Sequence, residues 1–208
     1  MHTIVETMAY DINFHIIYIS QDCLLIVRPD RSYRCSTQRG GIMKTTLGKL
    51  YAEELMSEVP ASRKCIERVP IDRLSGWKPH EKSMQMGYLT ILVADMPRWI
   101  THAITEGVID LKGWKLPEAK TAAALLEQFD RNIADAKKAL ENATDEALDK
   151  PFSLKRGDAV LMTTTKRESI SSSINHWVHH RGQLTVYLRL NDIAVPSIYG
   201  PSADEKTF

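Results

Sequence analysis

The feature that most constrains the fold is the regular spacing of apolar residues in four long segments. In residues 119–142 they recur every three or four positions, at Ala123, Leu126, Phe129, Ile133, Ala136 and Leu140. This spacing gathers them on one face of an α-helix. The same spacing predicts helices over residues 45–69, 83–100 and 167–191. Because no βαβ pattern or internal repeat accompanies them, the sequence predicts an all-α fold, a four-helix bundle.

Prolines and capping residues predict where these helices begin, bend and end. Thr45 or Thr46 can cap the first helix, which we expect to end or kink at Pro60. Ser83 can cap the second helix, which Pro97 should bend by removing a backbone donor. Residues 151–165 are predicted to form a loop or a small hairpin.

The first 42 residues differ in composition from the rest of the chain. They contain no lysine and two of the three cysteines, whereas residue 44 begins a lysine-rich and alanine-rich helical sequence. Their β-branched runs, 11–19 and 24–27, are compatible with a hairpin. The alternative is a misassigned start: Gly40-Gly41 is typical of a translated ribosome-binding sequence, and Met43 follows it. The predicted organisation is an extra N-terminal segment, 1–42, followed by a helical domain, 43–208.

Overall composition excludes several classes of partner. The formal net charge is +1, so no global field favours nucleic acid. No run approaches 18 uncharged apolar residues, and no basic leader is evident, so we expect neither a membrane span nor secretion. Three cysteines without close spacing favour a reducing, cytoplasmic location.

A histidine pair on the last predicted helix is the strongest candidate for a functional site. His176 and His180 lie four residues apart, about 40° from each other around a helix and one turn along it, so both imidazoles can reach one divalent ion. The alternative is an ordinary polar helix surface whose side chains bond to carboxylates or water. His179 lies about 60° to the other side of His176, as a surface or supporting group.

Several motifs around this pair resemble those of the DinB family. The last helix reads HWVHHRGQLTVYLRL over 176–190 and is followed by VPSIYGP over 195–201. The sequences WKPHEKSM over 77–84 and MPxW over 96–99 resemble the family's first loop and second helix. The matches keep their order from about residue 43 to residue 205.

The resemblance implies a four-helix bundle, commonly a homodimer, with a divalent metal ion such as zinc, nickel, manganese or iron. One ligand would be a histidine of the second helix, and two would come from the last helix, where His176 and His180 match. The relatives include thiol-dependent transferases, so the resemblance implies a small-molecule substrate and an enzyme of metal-dependent hydrolase or low-molecular-weight-thiol transferase type. No residue is assigned a catalytic role.

The chain departs from the family pattern at the ligand of the second helix. Leu92 stands where the family has histidine, in a register that the apolar stripe supports. Asp95, one turn further on, is the candidate substitute, because two histidines and one carboxylate can hold iron(II) or manganese. The alternative for Asp95 is a solvated or ion-paired side chain near the kink. Two functions therefore stay open: a metal-dependent enzyme, and a metal-free bundle dimer that binds a small molecule or a protein partner.

Five other residues near these motifs receive structural interpretations. His80 is expected to anchor its loop, and His102 to lie on the surface or at a dimer contact. Arg181 is expected to pair with an acid, Asp95 or another. Glycine inside a helix is unfavourable, so Gly182 is attributed either to close packing of the core, the preferred interpretation, or to a ligand nearby. Tyr199 is expected in a tail that packs over the end of the helices.

Overall fold

The computed structural model describes residues 15–20, 23–27, 33–36, 45–118 and 121–206. The chain divides into two compact units, Met1–Lys44 and Thr45–Phe208. In the first unit, β1 (His15–Ser20), β2 (Cys23–Val27) and β3 (Tyr33–Ser36) form an antiparallel sheet in the order β1-β2-β3. Ile17 pairs with Leu25, and Leu25 pairs with Cys35. The predicted hairpin of the β-branched runs is therefore present, with a third strand added.

The second unit is mainly helical and contains seven helices and three strands among its described residues. In chain order these are α1 (Leu47–Glu67), α2 (Ile71–Leu74), α3 (Met86–Asp95), α4 (Pro97–Thr105), β4 (Val108–Asp110), α5 (Ala122–Glu141), α6 (Asp145–Leu148), β5 (Pro151–Arg156), β6 (Ala159–Thr165) and α7 (Lys166–Leu190). Across the described residues, no helix has the length and apolar character needed to span a membrane.

The predicted all-α four-helix bundle is wrong, because this unit includes a three-stranded mixed sheet. Strand β4 pairs parallel to β5, and β5 pairs antiparallel to β6. The hairpin β5–β6 was one of the two expectations for residues 151–165, and it turns at Gly157, whose φ of 61° suits glycine. Strand β4 was missed because three residues are too few to show a strand's alternation.

Local capping chemistry explains where the helices begin. The side chains of Thr46, Thr121, Thr144 and Thr165 each accept a backbone N–H of the first turn, at the starts of α1, α5, α6 and α7. The second helix begins later than predicted, after Gln85 rather than Ser83, and breaks at Met96 so that Pro97 opens α4. Pro60 does not end α1, which continues to Glu67.

The core lies between the apolar faces of α1, α3, α4, α5 and α7. Its fully buried side chains include Leu55, Leu89, Ile100, Phe129 and Trp177. Gly48 marks a close contact between α1 and α5, because a Cβ built there would lie 2.3 Å from the Leu140 carbonyl oxygen. This packing holds α3 and α4 beside α7, where the histidine pair lies. The close packing predicted at Gly182 of α7 is wrong: this residue is exposed, and a Cβ built on it would meet no described atom within 4 Å.

Candidate functional site

The structure brings His176 and His180 together on α7. The helix is fixed at its start by a reciprocal capping box between Thr165 and Glu168. Two turns later, the Nε2 atoms of His176 and His180 lie 2.8 Å apart, with ring centroids 4.4 Å apart. His180 is buried and His176 is exposed, so the pair runs from the core to the surface.

Gln183 fixes the hydrogen-bonding direction of the pair. Its Oε1 lies 2.8 Å from His180 Nδ1, and a carbonyl oxygen can only accept. His180 therefore carries its proton on Nδ1 when neutral, and its Nε2 accepts a hydrogen bond from Nε2–H of His176. The lone pair of the outer ring then lies on His176 Nδ1. Sequence reasoning gave Gln183 no role, although its i, i+3 spacing from His180 was a usable signal.

Both imidazoles are poised to be neutral. Desolvation lowers the pKa of His176 below its ordinary value, and the neighbouring His180 and His179 lower it further. Desolvation also lowers the pKa of His180, although its hydrogen bond to Gln183 acts in the opposite direction. At neutral pH the pair therefore presents uncharged nitrogens, the form that accepts hydrogen bonds and that ligates metals.

Leu92 lies in the segment of α3 and α4 that packs against α7. Helices α3 and α4 run antiparallel to α7: the Tyr187 hydroxyl donates to the Met84 carbonyl at 3.2 Å, and the ring of Trp99 packs edge-on against His176 at 6.4 Å. Leu92, on α3, lies between Met84 and Trp99 in the chain, and His180 lies between His176 and Tyr187 on α7. Leu92 is half-buried against the core. That its side chain stands at the position of the family's histidine remains a prediction from the sequence.

Asp95 is not brought to the histidine pair. Its side chain is fully buried, and its Oδ2 accepts hydrogen bonds from Arg98 Nη2 at 2.9 Å and Trp114 Nε1 at 3.0 Å. Of the two expectations for Asp95, the ion pair near the kink describes these contacts. Its Oδ1 is also buried and has no hydrogen-bond partner among the described residues.

The remaining histidines lie away from the pair or beside it. His80 Nδ1 accepts the Lys82 N–H at 3.1 Å within its loop, as the predicted anchoring role requires. The ring of His102 packs 4.8 Å from Trp114. His179 is exposed, with its ring 5.3 Å from His180. The ring of Trp114 contacts Trp99, and the ring of Trp99 contacts His176, so these aromatic rings border the site. No sequence pattern predicted that Trp114 would lie there.

The donor set does not fit a catalytic metal centre with three protein ligands. Within residues 45–118 and 121–206, no three His, Cys, Asp or Glu side chains form a group that could hold a metal ion. The 2.8 Å between the two Nε2 atoms is a hydrogen-bond distance, so the two rings are bonded to each other. With Leu92 at the third position, two ligands remain.

A second polar network lies on the opposite side of α7. Arg181 is almost fully buried, and its Nη1 donates to Glu58 Oε2 at 2.5 Å while its Nη2 donates to the Tyr199 hydroxyl at 2.8 Å. The Tyr199 hydroxyl in turn donates to the Glu58 carboxylate at 3.0 Å. Arg181 therefore pairs with Glu58 rather than Asp95, and it fastens the C-terminal tail to α1.

The tail is held by further ion pairs. Glu205 pairs with Arg68 and with Lys64, and Asp204 pairs with Arg189 at 2.5 Å. The Ser197 N–H also donates to Glu205 Oε2 at 3.0 Å. The predicted packing of the tail over the end of the helices rests on these charged contacts.

The fold and the site together define a helical domain with a small mixed sheet and a histidine pair on its last helix. The family model of the DinB family matches residues 43–207. The chain belongs to the DinB family.

Solved structures agree with this assignment at the level of the fold. A DinB-like protein from Bacillus subtilis is 22% identical, with a TM-score of 0.57, and the match covers 76% of this chain and 99% of that protein. A DinB-like protein from Bacillus cereus is 18% identical, with a TM-score of 0.59, and the match covers 76% of this chain and 100% of that protein. A search of curated proteins finds no match.

Proposed function

We propose that this DinB-family protein binds a small molecule at the His176–His180 pair without a resident metal ion. The observation that carries the proposal is the donor set among the described residues: no third His, Cys, Asp or Glu joins the pair, and the Asp95 carboxylate is bonded to Arg98 and Trp114. An open catalytic zinc site uses three protein ligands. A pair alone has most of the hydrogen-bonding capacity of such a site and little of its affinity for metal.

The hydrogen-bond order of the pair indicates which ligands it would take. With Gln183 accepting from His180, and His180 accepting from His176, the free acceptor is Nδ1 of the exposed ring. A ligand that offers an O–H, N–H or S–H group can donate to this nitrogen. Because burial lowers the pKa of both rings, the pair is uncharged at neutral pH and this nitrogen is available to accept such a hydrogen bond. Small alcohols, amines and thiols are therefore the proposed ligand class.

A second candidate is a metal-dependent hydrolase or low-molecular-weight-thiol transferase. The specific observation in its favour is that the two neutral imidazoles converge, with Gln183 accepting from the Nδ1–H of His180 as an orienting partner of a metal-bound histidine commonly does. This candidate requires an ion held by two protein ligands, and it is separated from the first by metal content.

The test of metal dependence is elemental analysis of protein purified without a histidine tag. We expect no stoichiometric zinc, nickel, manganese or iron, and no rise in melting temperature when each ion is added, because a ligand that binds only the folded state must raise stability. His176→Gln should likewise contain no stoichiometric metal ion and show no rise in melting temperature when ions are added. A stoichiometric ion, lost in His176→Gln and retained in His179→Gln, would establish the second candidate instead.

The test of ligand binding is nitrogen NMR of the histidine side chains. Titration with simple probes, ethanolamine and 2-mercaptoethanol, should shift the Nδ1 resonance of His176 in a saturable way. The matched control is His179→Gln, which alters an exposed neighbouring ring and should leave the shift unchanged. Resonances of His176 that do not respond to any alcohol, amine or thiol probe would refute the proposal.

The same proposal covers location and partners. Cys65 is a free, buried thiol, and its burial raises its pKa to about 11, so it is stable in a reducing cytoplasm. A net charge of +1 supplies no field for nucleic acid, so we propose small molecules rather than nucleic acid as ligands.

A further inference from the structure

A groove between α4, α5 and α6 is separate from the histidine pair. Its volume is about 490 Å³, and none of its described lining residues belongs to α7. Much of the lining is apolar and consists of Ile104, Ala139, Ala143 and Ala147. Ligand pockets in proteins commonly enclose about 300–1,000 Å³ and are lined mainly by apolar groups with a few polar ones. The groove therefore has the size and the lining of a small-molecule site.

Two opposite charges lie at the rim of this groove, one turn apart on α5. Asp135 and Lys138 both line it, and both are exposed. Residues three positions apart on a helix are neighbours, with Cβ atoms about 5–6 Å apart. Among the described residues, neither side chain forms an ion pair. The rim therefore offers one carboxylate and one ammonium group that lie close together without being bonded to each other.

The other charged residues of α5 differ from these two, because each of them is paired. The pairs are Glu127 with Arg131, Lys137 with Glu141, and Asp130 with Arg63 of α1. In the part of the chain that the structure describes, the charged residues of α5 without an ion pair are thus the two that line the groove. A ligand with both a positive and a negative group would give each of them a partner.

The wall that α4 contributes also has a polar group without a partner. Thr101 lines the groove, and its Oγ1 is buried with no hydrogen bond to any described residue. One turn later, by contrast, the Thr105 hydroxyl donates to the Thr101 carbonyl at 3.0 Å. Buried hydroxyl groups are normally hydrogen-bonded, so a polar atom of a ligand would complete this wall.

We propose that the groove between α4, α5 and α6 binds a free apolar α-amino acid. The ammonium group of the ligand donates to the Asp135 carboxylate, and the ligand's carboxylate accepts from the Lys138 ammonium group. Its side chain lies against Ile104 and the alanines. An α-amino acid has both charged groups on one carbon, so it matches the closely spaced charges of the rim. This site is independent of the ligand site proposed at His176 and His180.

The experiment is NMR titration of the full chain, labelled at its alanine methyl groups, with L-phenylalanine. The methyl resonances of Ala139, Ala143 and Ala147 should shift in a saturable way. Phenylethylamine lacks the carboxylate and 3-phenylpropanoate lacks the ammonium group, so each should bind about fivefold more weakly, the most that an exposed ion pair usually contributes. Glycine has no side chain and should cause no saturable shift. If either fragment binds as tightly as L-phenylalanine, the proposal is overturned.

Substitutions at the rim should give reciprocal results. Lys138→Gln should weaken L-phenylalanine and 3-phenylpropanoate about fivefold without weakening phenylethylamine. Asp135→Asn should weaken L-phenylalanine and phenylethylamine without weakening 3-phenylpropanoate. The matched control is Lys137→Gln, because Lys137 is the preceding lysine, pairs with Glu141 and lies outside the groove. It should leave all three dissociation constants unchanged.

Two outcomes distinguish this site from the histidine pair. His176→Gln should leave the alanine methyl shifts intact, whether or not ligands bind at His176. If these shifts disappear in His176→Gln, the amino acid is bound at the histidine pair and the proposal is overturned. Alanine methyl resonances that do not respond to L-phenylalanine, or equal losses of affinity in Lys137→Gln and Lys138→Gln, also overturn it.

Discussion

Restoring the missing histidine with Leu92→His should create a zinc site that the parent lacks. Leu92 lies in the chain between Met84 and Trp99, whose contacts join the segment of α3 and α4 to α7, and the family pattern places a histidine at its position. A histidine there would add a third imidazole to two that are already neutral and convergent. Three protein ligands are the number found in open zinc sites.

The expected rise in melting temperature follows from the geometry of the site and from the linkage between zinc binding and folding. The two Nε2 atoms must separate from 2.8 Å to about 3.3 Å, a change that small side-chain rotations supply. Replacing the half-buried Leu92 should cost about 1 kcal/mol, roughly half of the value of a fully buried leucine. Free zinc at about a hundredfold excess over its dissociation constant should then add about 2.7 kcal/mol. For a protein of this size, that addition is a rise of about 5–10 °C in melting temperature.

The assay is thermal unfolding of the tag-free variant with zinc and with a chelator. Zinc should raise the melting temperature of Leu92→His and leave the parent unchanged. Ile91→His is the matched control, because Ile91 is also half-buried on α3 but lies about 100° away around the helix. If Leu92→His gains no zinc affinity, or Ile91→His gains as much, the placement of Leu92 beside the pair is refuted.

Two further predictions concern the C-terminal tail. Arg181→Met leaves the Glu58 carboxylate uncompensated in a largely buried position, so it should lower the free energy of unfolding, measured in urea, by about 3 kcal/mol. Adding Glu58→Gln to this variant should recover part of that loss. A double variant as unstable as Arg181→Met alone would contradict the pairing. The Ser197 N–H, and then Arg68, lower the pKa of Glu205 to about 2. The contribution of Glu205 to the free energy of unfolding is therefore complete above its unfolded pKa of 4.5 and is lost as pH falls from about 4.5 towards 2. Glu205→Gln should flatten the dependence of the urea midpoint on pH in this range, and parallel curves for the two proteins would refute this prediction.

The helices were largely predictable because their signals are local and repeated. Apolar spacing alone placed α5 and α7 within a few residues of their observed ends. Pro97 marked the break between α3 and α4, since a proline at the first position of a helix loses no hydrogen bond. Of the two expectations at Pro60, an end of the helix is wrong: α1 continues through the proline, and its buried residues extend to Cys65 and Ile66 beyond it. Tertiary packing there outweighs the local cost.

The sheet and the details of the site depend on contacts between distant residues. Strand β4 has three residues and is stabilised by pairing with β5, more than 40 positions later, which no local pattern reveals. The location of the Asp95 carboxylate depends on Trp114, in a loop without periodicity. The spacing of His176 and His180, by contrast, was sufficient to predict that their rings meet, because both lie on one helix.

The features that would orient a metal ligand also suit the pair to the proposed metal-free role. Gln183 fixes the tautomer of His180, which leaves its Nε2 as an acceptor whether the partner is an ion or the N–H of His176. Desolvation lowers the pKa of both rings and so keeps them neutral. A histidine-to-leucine change at position 92 would therefore remove a ligand and leave the two remaining imidazoles uncharged, as hydrogen-bond acceptors. On this reasoning, Leu92 is a residue that determines which ligand the site accepts.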